Sequence, residues 1–158
     1  MADEKTNVMR LLDQKKIPYT PRQYDVSDGV LDGVTAAQRL GVPPETCFKT
    51  LVTAGASKRN YVFVIPGPRE LDLKAAAKAV GEKSIEMIRQ AQLLPLTGYI
   101  HGGCSPIGMK KRLPTVIDAA AQALPEMTLS AGKIGRQVTL KPADLAAFVG
   151  AGFAPVSK

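Results

Sequence analysis

The run GGCSPIGMKKRLPTVID, residues 102–118, brings together three features that ordinary core sequence keeps apart. Two glycines and a Ser105-Pro106 turn open it, Lys110-Lys111-Arg112 follow, and only then does a strand-like Val116-Ile117 begin. Glycine lets another molecule approach the backbone closely, and exposed N–H groups in such loops hold oxyanions or phosphates. The run is not a nucleotide-binding P-loop. Gly103 and Gly108 have the right gap, but Met109 stands where lysine must follow the second glycine. The three cations either clamp a nucleic-acid backbone or form a solvated loop.

Outward from this run, strands and helices mix without regular alternation. Toward the C-terminus, residues 115–118, 127–130 and 137–140 read as short strands, and 144–149 as a closing helix. Toward the N-terminus, LDLKAAAKAV at 71–80 is the clearest helix, with Gly81 placed to stop it. Residues 48–54 and 61–65 are β-rich and separated by GASKRN, the pattern of a hairpin. Residues 5–16 form an amphipathic helix, 19–26 a strand, 27–33 a loop and 35–40 a short helix; 85–87 read as a strand and 89–94 as a helix. The expected fold is α+β with a mostly mixed sheet, in a single domain over residues 1–158.

The 158 residues carry 21 Lys plus Arg against 14 Asp plus Glu, a net charge of +7 that favours a polyanionic partner or serves solubility. Tryptophan is absent and aromatic residues make up 5%, which argues against a stacking platform for single-stranded nucleic acid. Cys47 and Cys104 form neither a CxxC pair nor a disulfide framework. The opening MADEKTNVMRLLDQKK lacks an apolar signal-peptide core, and no run approaches membrane length. A reduced, cytoplasmic setting without membrane contact is expected.

Two further constellations bear on chemistry. His101 and Cys104 could pair as a thiolate nucleophile, but the residues favour the plainer reading of a small buried thiol and a satisfied histidine at a strand end. HxxC could also supply two metal ligands, but two more would be needed, and Cys47 is the only other soft candidate. Lys49, at the head of the apolar run 48–52, either snorkels to water or meets a carboxylate, phosphate or polarised carbonyl.

CFKTLV, LDLKAAAKAVG, TGYIHGGCSPIGMKKRLPTVID and LSAGKIG occur in that order across nearly the whole chain. With these landmarks the sequence resembles the YbaK/EbsC family of aminoacyl-tRNA editing domains, related to the insertion domain of bacterial prolyl-tRNA synthetases. For the fold, the resemblance implies a mixed, curled β-sheet surrounded by helices. GGCSPIGMKKRLP looks most like the free-standing branch, deacylases that clear cysteine mischarged onto proline tRNA. The resemblance implies cleavage of Cys-tRNA(Pro), with Cys-tRNA(Cys) a further substrate, by attack of the substrate's own thiol on its ester. An Ala-tRNA(Pro) hydrolase and a non-catalytic module for a tRNA 3′ end or nucleotide are the alternatives.

By the same resemblance, Lys49 matches the family's key lysine, and the backbone at Gly102 and Gly103 faces the ester as the remaining catalytic element. Tyr24, Thr50, Ser105, Pro106, Ser130 and Gly132 contribute to substrate binding. No cofactor or metal is implied. The implied partners are the aminoacyl-tRNA 3′ end and, transiently, prolyl-tRNA synthetase. Two positions depart from the pattern. Leu31 or Asp32 stands where the cysteine-editing branch often has phenylalanine, and Gln137 stands where an acidic residue is common.

Overall fold

The computed structural model describes residues 5–24 and 33–158. The helices form where the chain supplies their ends. Helix α1 (Asn7–Gln14) is capped by Thr6, whose hydroxyl accepts from the Met9 N–H at 3.3 Å, and it buries Val8, Met9 and Leu12. Strand β1 (Thr20–Gln23) and helix α2 (Gly33–Leu40) follow. Helix α3 (Leu73–Val80) begins on Asp72, which accepts from the Ala75 N–H, and ends on left-handed Gly81. It lays Ala76 and Ala77 against Tyr61, Phe63 and Ile65.

Those three residues sit on β3 (Asn60–Pro66), which pairs antiparallel with β2 (Phe48–Gly55) as the expected hairpin. The hairpin is the centre of a five-stranded sheet. Strand β4 (Ile85–Met87) pairs with β2, while β5 (Thr115–Asp118) and β8 (Gly152–Ala154) extend the other side in parallel, giving the order β4-β2-β3-β5-β8. Between β4 and β5 lie α4 (Leu93–Thr97) and the glycine-rich loop. Strands β6 (Met127–Lys133) and β7 (Arg136–Leu140) form a second antiparallel sheet of order β1-β7-β6, and α5 (Pro142–Val149) follows β7.

The strands thus divide into two sheets, joined by a bridge between Cys47 and Thr128, where the sequence suggests one curled sheet. The main core fills the space between them. Phe48, Val52, Val62, Val64 and Ile117 meet Met127, Leu129, Val138 and Leu140 there, with α1 alongside. Fully burying such a side chain is worth about 1.5–3 kcal/mol, so this interface dominates the fold.

Alternation along β6 and β7 sends the intervening residues to the opposite face. Thr128 lies opposite Thr139, with hydroxyls 2.7 Å apart, and Ser130 lies opposite Gln137. One face of the smaller sheet is therefore polar and packed. Three elements were not expected from the sequence, β8 and the 3-10 turns Pro44–Thr46 and Ala119–Ala123. Leu71 belongs to a bridge with Ser157 rather than to α3. The residues expected to form the 27–33 loop, including Leu31 and Asp32, lie almost wholly outside the described residues.

Candidate active site

A cavity of about 550 Å³ lies where the head of β2 meets the polar face of the smaller sheet. Strand β2 contributes Lys49, Thr50 and Leu51, β6 contributes Ser130, β7 contributes Gln137, and Tyr24 enters just after β1. More of the wall comes from His101, Gly102 and Cys104 on the loop and from Leu93 at the start of α4, with Cys47 and Phe48 at the head of β2.

Lys49 is half-buried. Burial lowers its pKa, and the charge of Glu70 acts in the opposite direction. The cavity wall therefore carries a cation that burial makes harder to keep charged. Two buried polar atoms belong to residues of the cavity wall: Thr50 Oγ1 and Gln137 Oε1 have no hydrogen-bond partner among the described residues, and Gln137 as a whole is 6% exposed. A buried polar atom left unpaired costs about 1–3 kcal/mol, so both favour a ligand that donates hydrogen bonds. Burial also raises the pKa of the Tyr24 phenol, against smaller opposing effects of hydrogen bonds with the Gln137 side chain and the Gly135 backbone.

The loop is stiff because its polar groups bond inward. Thr97 O accepts from the Lys110 N–H at 2.8 Å, Tyr99 donates its hydroxyl hydrogen to Ile107 O, and Ile107 is fully buried. Gly102 adopts φ +89°, a conformation that side-chain-bearing residues rarely take, and its N–H meets no acceptor among the described residues. Gly102 itself lies on the cavity wall.

Of the residues singled out by resemblance, the structure brings Tyr24, Lys49, Thr50, Gly102 and Ser130 to this wall. It does not bring Gly103, Ser105, Pro106 or Gly132 there. The Gly103 N–H donates to Ile100 O at 3.0 Å, and a Cβ on Gly103 would stand 3.1 Å from the Ile134 nitrogen, so this glycine is needed for packing against the β6–β7 turn. Ser105 is fully buried and its hydroxyl accepts from the Ile107 N–H, closing the turn from within. Pro106 lines a separate groove of about 190 Å³ with Arg112 and Phe148. Gly132 packs on Tyr99 and Val8, and its N–H donates to Ser130 Oγ. These four support the wall from behind.

The cysteine–histidine alternative meets a different fate. Burial pushes the Cys104 thiol up to about 12, against a weaker effect of the Thr97 hydrogen bond, and pushes Cys47 up to about 11. Both thiols are protonated at neutral pH, and a protonated thiol is a poor nucleophile. Cys104 is a wall residue, and His101 is exposed at the mouth. Among the described residues no group of three His, Cys, Asp or Glu side chains is placed to hold a metal ion, and no helix is long and apolar enough to cross a membrane.

Fold and site together define a small α+β domain with a strand-borne lysine and a left-handed glycine lining one largely apolar cavity. The chain belongs to the aminoacyl-tRNA editing domain family, which matches residues 29–148. Over 156 residues it is 44% identical to EbsC of Enterococcus faecalis, a candidate Cys-tRNA(Pro)/Cys-tRNA(Cys) deacylase, covering 99% of this chain and 95% of that one. A proline–tRNA ligase from Trichlorobacter lovleyi is 25% identical over 103 residues, 65% of this chain and 18% of the ligase. The same fold recurs in the crystal structure of a candidate trans-editing enzyme for prolyl tRNA synthetase, with a TM-score of 0.82 at 23% identity over 98% of this chain and 99% of that one. A hypothetical protein shares it with a TM-score of 0.88 at 22% identity, covering 97% of this chain and all of its own, 100%.

Proposed function

We propose that this chain is a free-standing, single-domain cytoplasmic deacylase that removes cysteine from proline tRNA, and from cysteine tRNA through the same site, using the substrate's thiol as nucleophile. The observation that carries this reading is the division of labour in the cavity. Lys49, the Gly102 N–H, Thr50, Ser130 and Gln137 can hold and polarise an ester, while both protein thiols are protonated. The volume of about 550 Å³ suits an aminoacyl-adenosine end rather than a helical stem.

The reaction then needs orientation and charge stabilisation from the protein. The cysteine sulfur attacks its own carbonyl carbon, a C–S bond forms, and the ester C–O bond breaks. The thiol proton ends on the ribose hydroxyl oxygen of the released tRNA, and the amino acid leaves as a thiolactone. Lys49 and the Gly102 N–H face the oxygen on which negative charge gathers. Tyr24 and Ser130 hold the adenosine and aminoacyl portions in place. The match to part of a proline–tRNA ligase supports transient action beside prolyl-tRNA synthetase.

Initial rates on three esters test the reading. Wild type and Cys104→Ala should both clear Cys-tRNA(Pro), leaving Ala-tRNA(Pro) and Pro-tRNA(Pro) intact. Clearance of Ala-tRNA(Pro) would replace the thiol route with hydrolysis by water. Binding of tRNA without turnover of any ester would make the domain a non-catalytic module.

A further inference from the structure

We propose that Lys110 and Lys111 bind the phosphates of the RNA strand whose 3′ end enters the cavity, with Leu94 and Ile100 touching its bases on the way. This inference rests on the deacylase reading of the cavity, and it assigns the surface that receives the nucleic acid. Lys110 and Lys111 are exposed and form no ion pair with a described residue, so their charge is available to a polyanion.

Their position is fixed relative to the cavity. Leu93 lines it and opens α4, and Thr97, one turn later, accepts the Lys110 N–H at 2.8 Å. One turn advances about 6 Å, which places the lysine backbone just outside the rim on the loop that also carries Gly102. Two exposed apolar side chains adjoin residues of the cavity wall. Leu94 adjoins Leu93 and is 53% exposed, and Ile100 adjoins His101 and is 52% exposed. Apolar ground beside the cavity suits unstacked bases, and cations beyond it suit the backbone that connects them. Arg112 points elsewhere, because its Nη2 would lie 3.0 Å from a Cβ on Gly150 at the end of α5.

Binding of uncharged tRNA(Pro) by the full chain between 50 and 200 mM KCl tests this directly. Each single-strand phosphate contact adds about 0.7 to the log–log salt slope. K110Q/K111Q should therefore lower the slope by about 1.4, so that wild type loses about sevenfold more affinity than the variant over that range. R112Q should keep the wild-type slope. A K110Q/K111Q slope equal to that of R112Q would overturn the proposal. A slope change seen only with prolyl-tRNA synthetase in the mixture would also overturn it, by placing the lysines at a protein interface. If wild type cleaves no ester yet shows the lysine-dependent slope, the RNA surface stands and the deacylase reading falls.

Discussion

Lys49→Ala is expected to reduce turnover of Cys-tRNA(Pro) by about 10²- to 10³-fold, the usual cost of removing one charge-stabilising donor from a preorganised site. Among the described residues Lys49 is the lysine or arginine that lines the cavity, and it sits there half-buried, where its interaction with a developing oxyanion is strengthened by poor hydration. Lys49→Arg should not restore the rate, since a planar fork on a longer stem cannot occupy the same point. The pH profile carries an independent signature. Burial lowers the Lys49 pKa and the Glu70 charge raises it, so activity should decline on the alkaline side as Lys49 loses its proton. Glu70→Gln removes the opposing effect, lowers the Lys49 pKa further, and should move that alkaline limb to lower pH. An unmoved limb in Glu70→Gln would mean that another group sets it.

The second large effect concerns stability. Asp118 ends β5 and is 3% exposed, yet its carboxylate accepts three backbone hydrogen bonds. Oδ2 takes the Ala120 N–H at 3.0 Å, and Oδ1 takes the Val156 and Ser157 N–H groups at 2.9 and 3.0 Å. One side chain thus ties the C-terminal segment to the central sheet. Asp118→Ala orphans these donors, two of them near the closing bridge of Leu71 with Ser157. The expected loss is about 3–5 kcal/mol, which at this chain length lowers Tm by about 10 °C. Thermal unfolding of the purified variant measures it; a fall of only one or two degrees would show that water or a local shift satisfies the same donors.

Much of the architecture was legible because it is local. The α3 stop at Gly81, the β2–β3 hairpin and the alternating strands near the C-terminus each follow from propensity or period within one segment. What was not legible depends on partners distant in sequence. β8 is three residues long and exists because β5 offers it a parallel edge. The split into two sheets depends on how β6 and β7 pack across the core, which no single window records.

The site divides along the same line. Lys49 and Gly102 could be picked out as residue types in context, and they do line the cavity. Gly103, Ser105, Pro106 and Gly132 share motifs with wall residues, yet neighbours in a tight turn point in different directions. Gln137 stood out only as a departure from a pattern. Its register opposite Ser130 is what places it on the cavity wall, and the alternation of 137 and 139 against 138 and 140 was the available clue.

The most direct test of the account compares Cys-tRNA(Pro) with Ser-tRNA(Pro), whose side chain replaces the sulfur with a smaller oxygen and so fits wherever cysteine fits. If the substrate thiol is the nucleophile, the cysteinyl ester is cleared with release of thiolactone and the seryl ester persists. Equal clearance of both esters, with free amino acid as the first product, would contradict it.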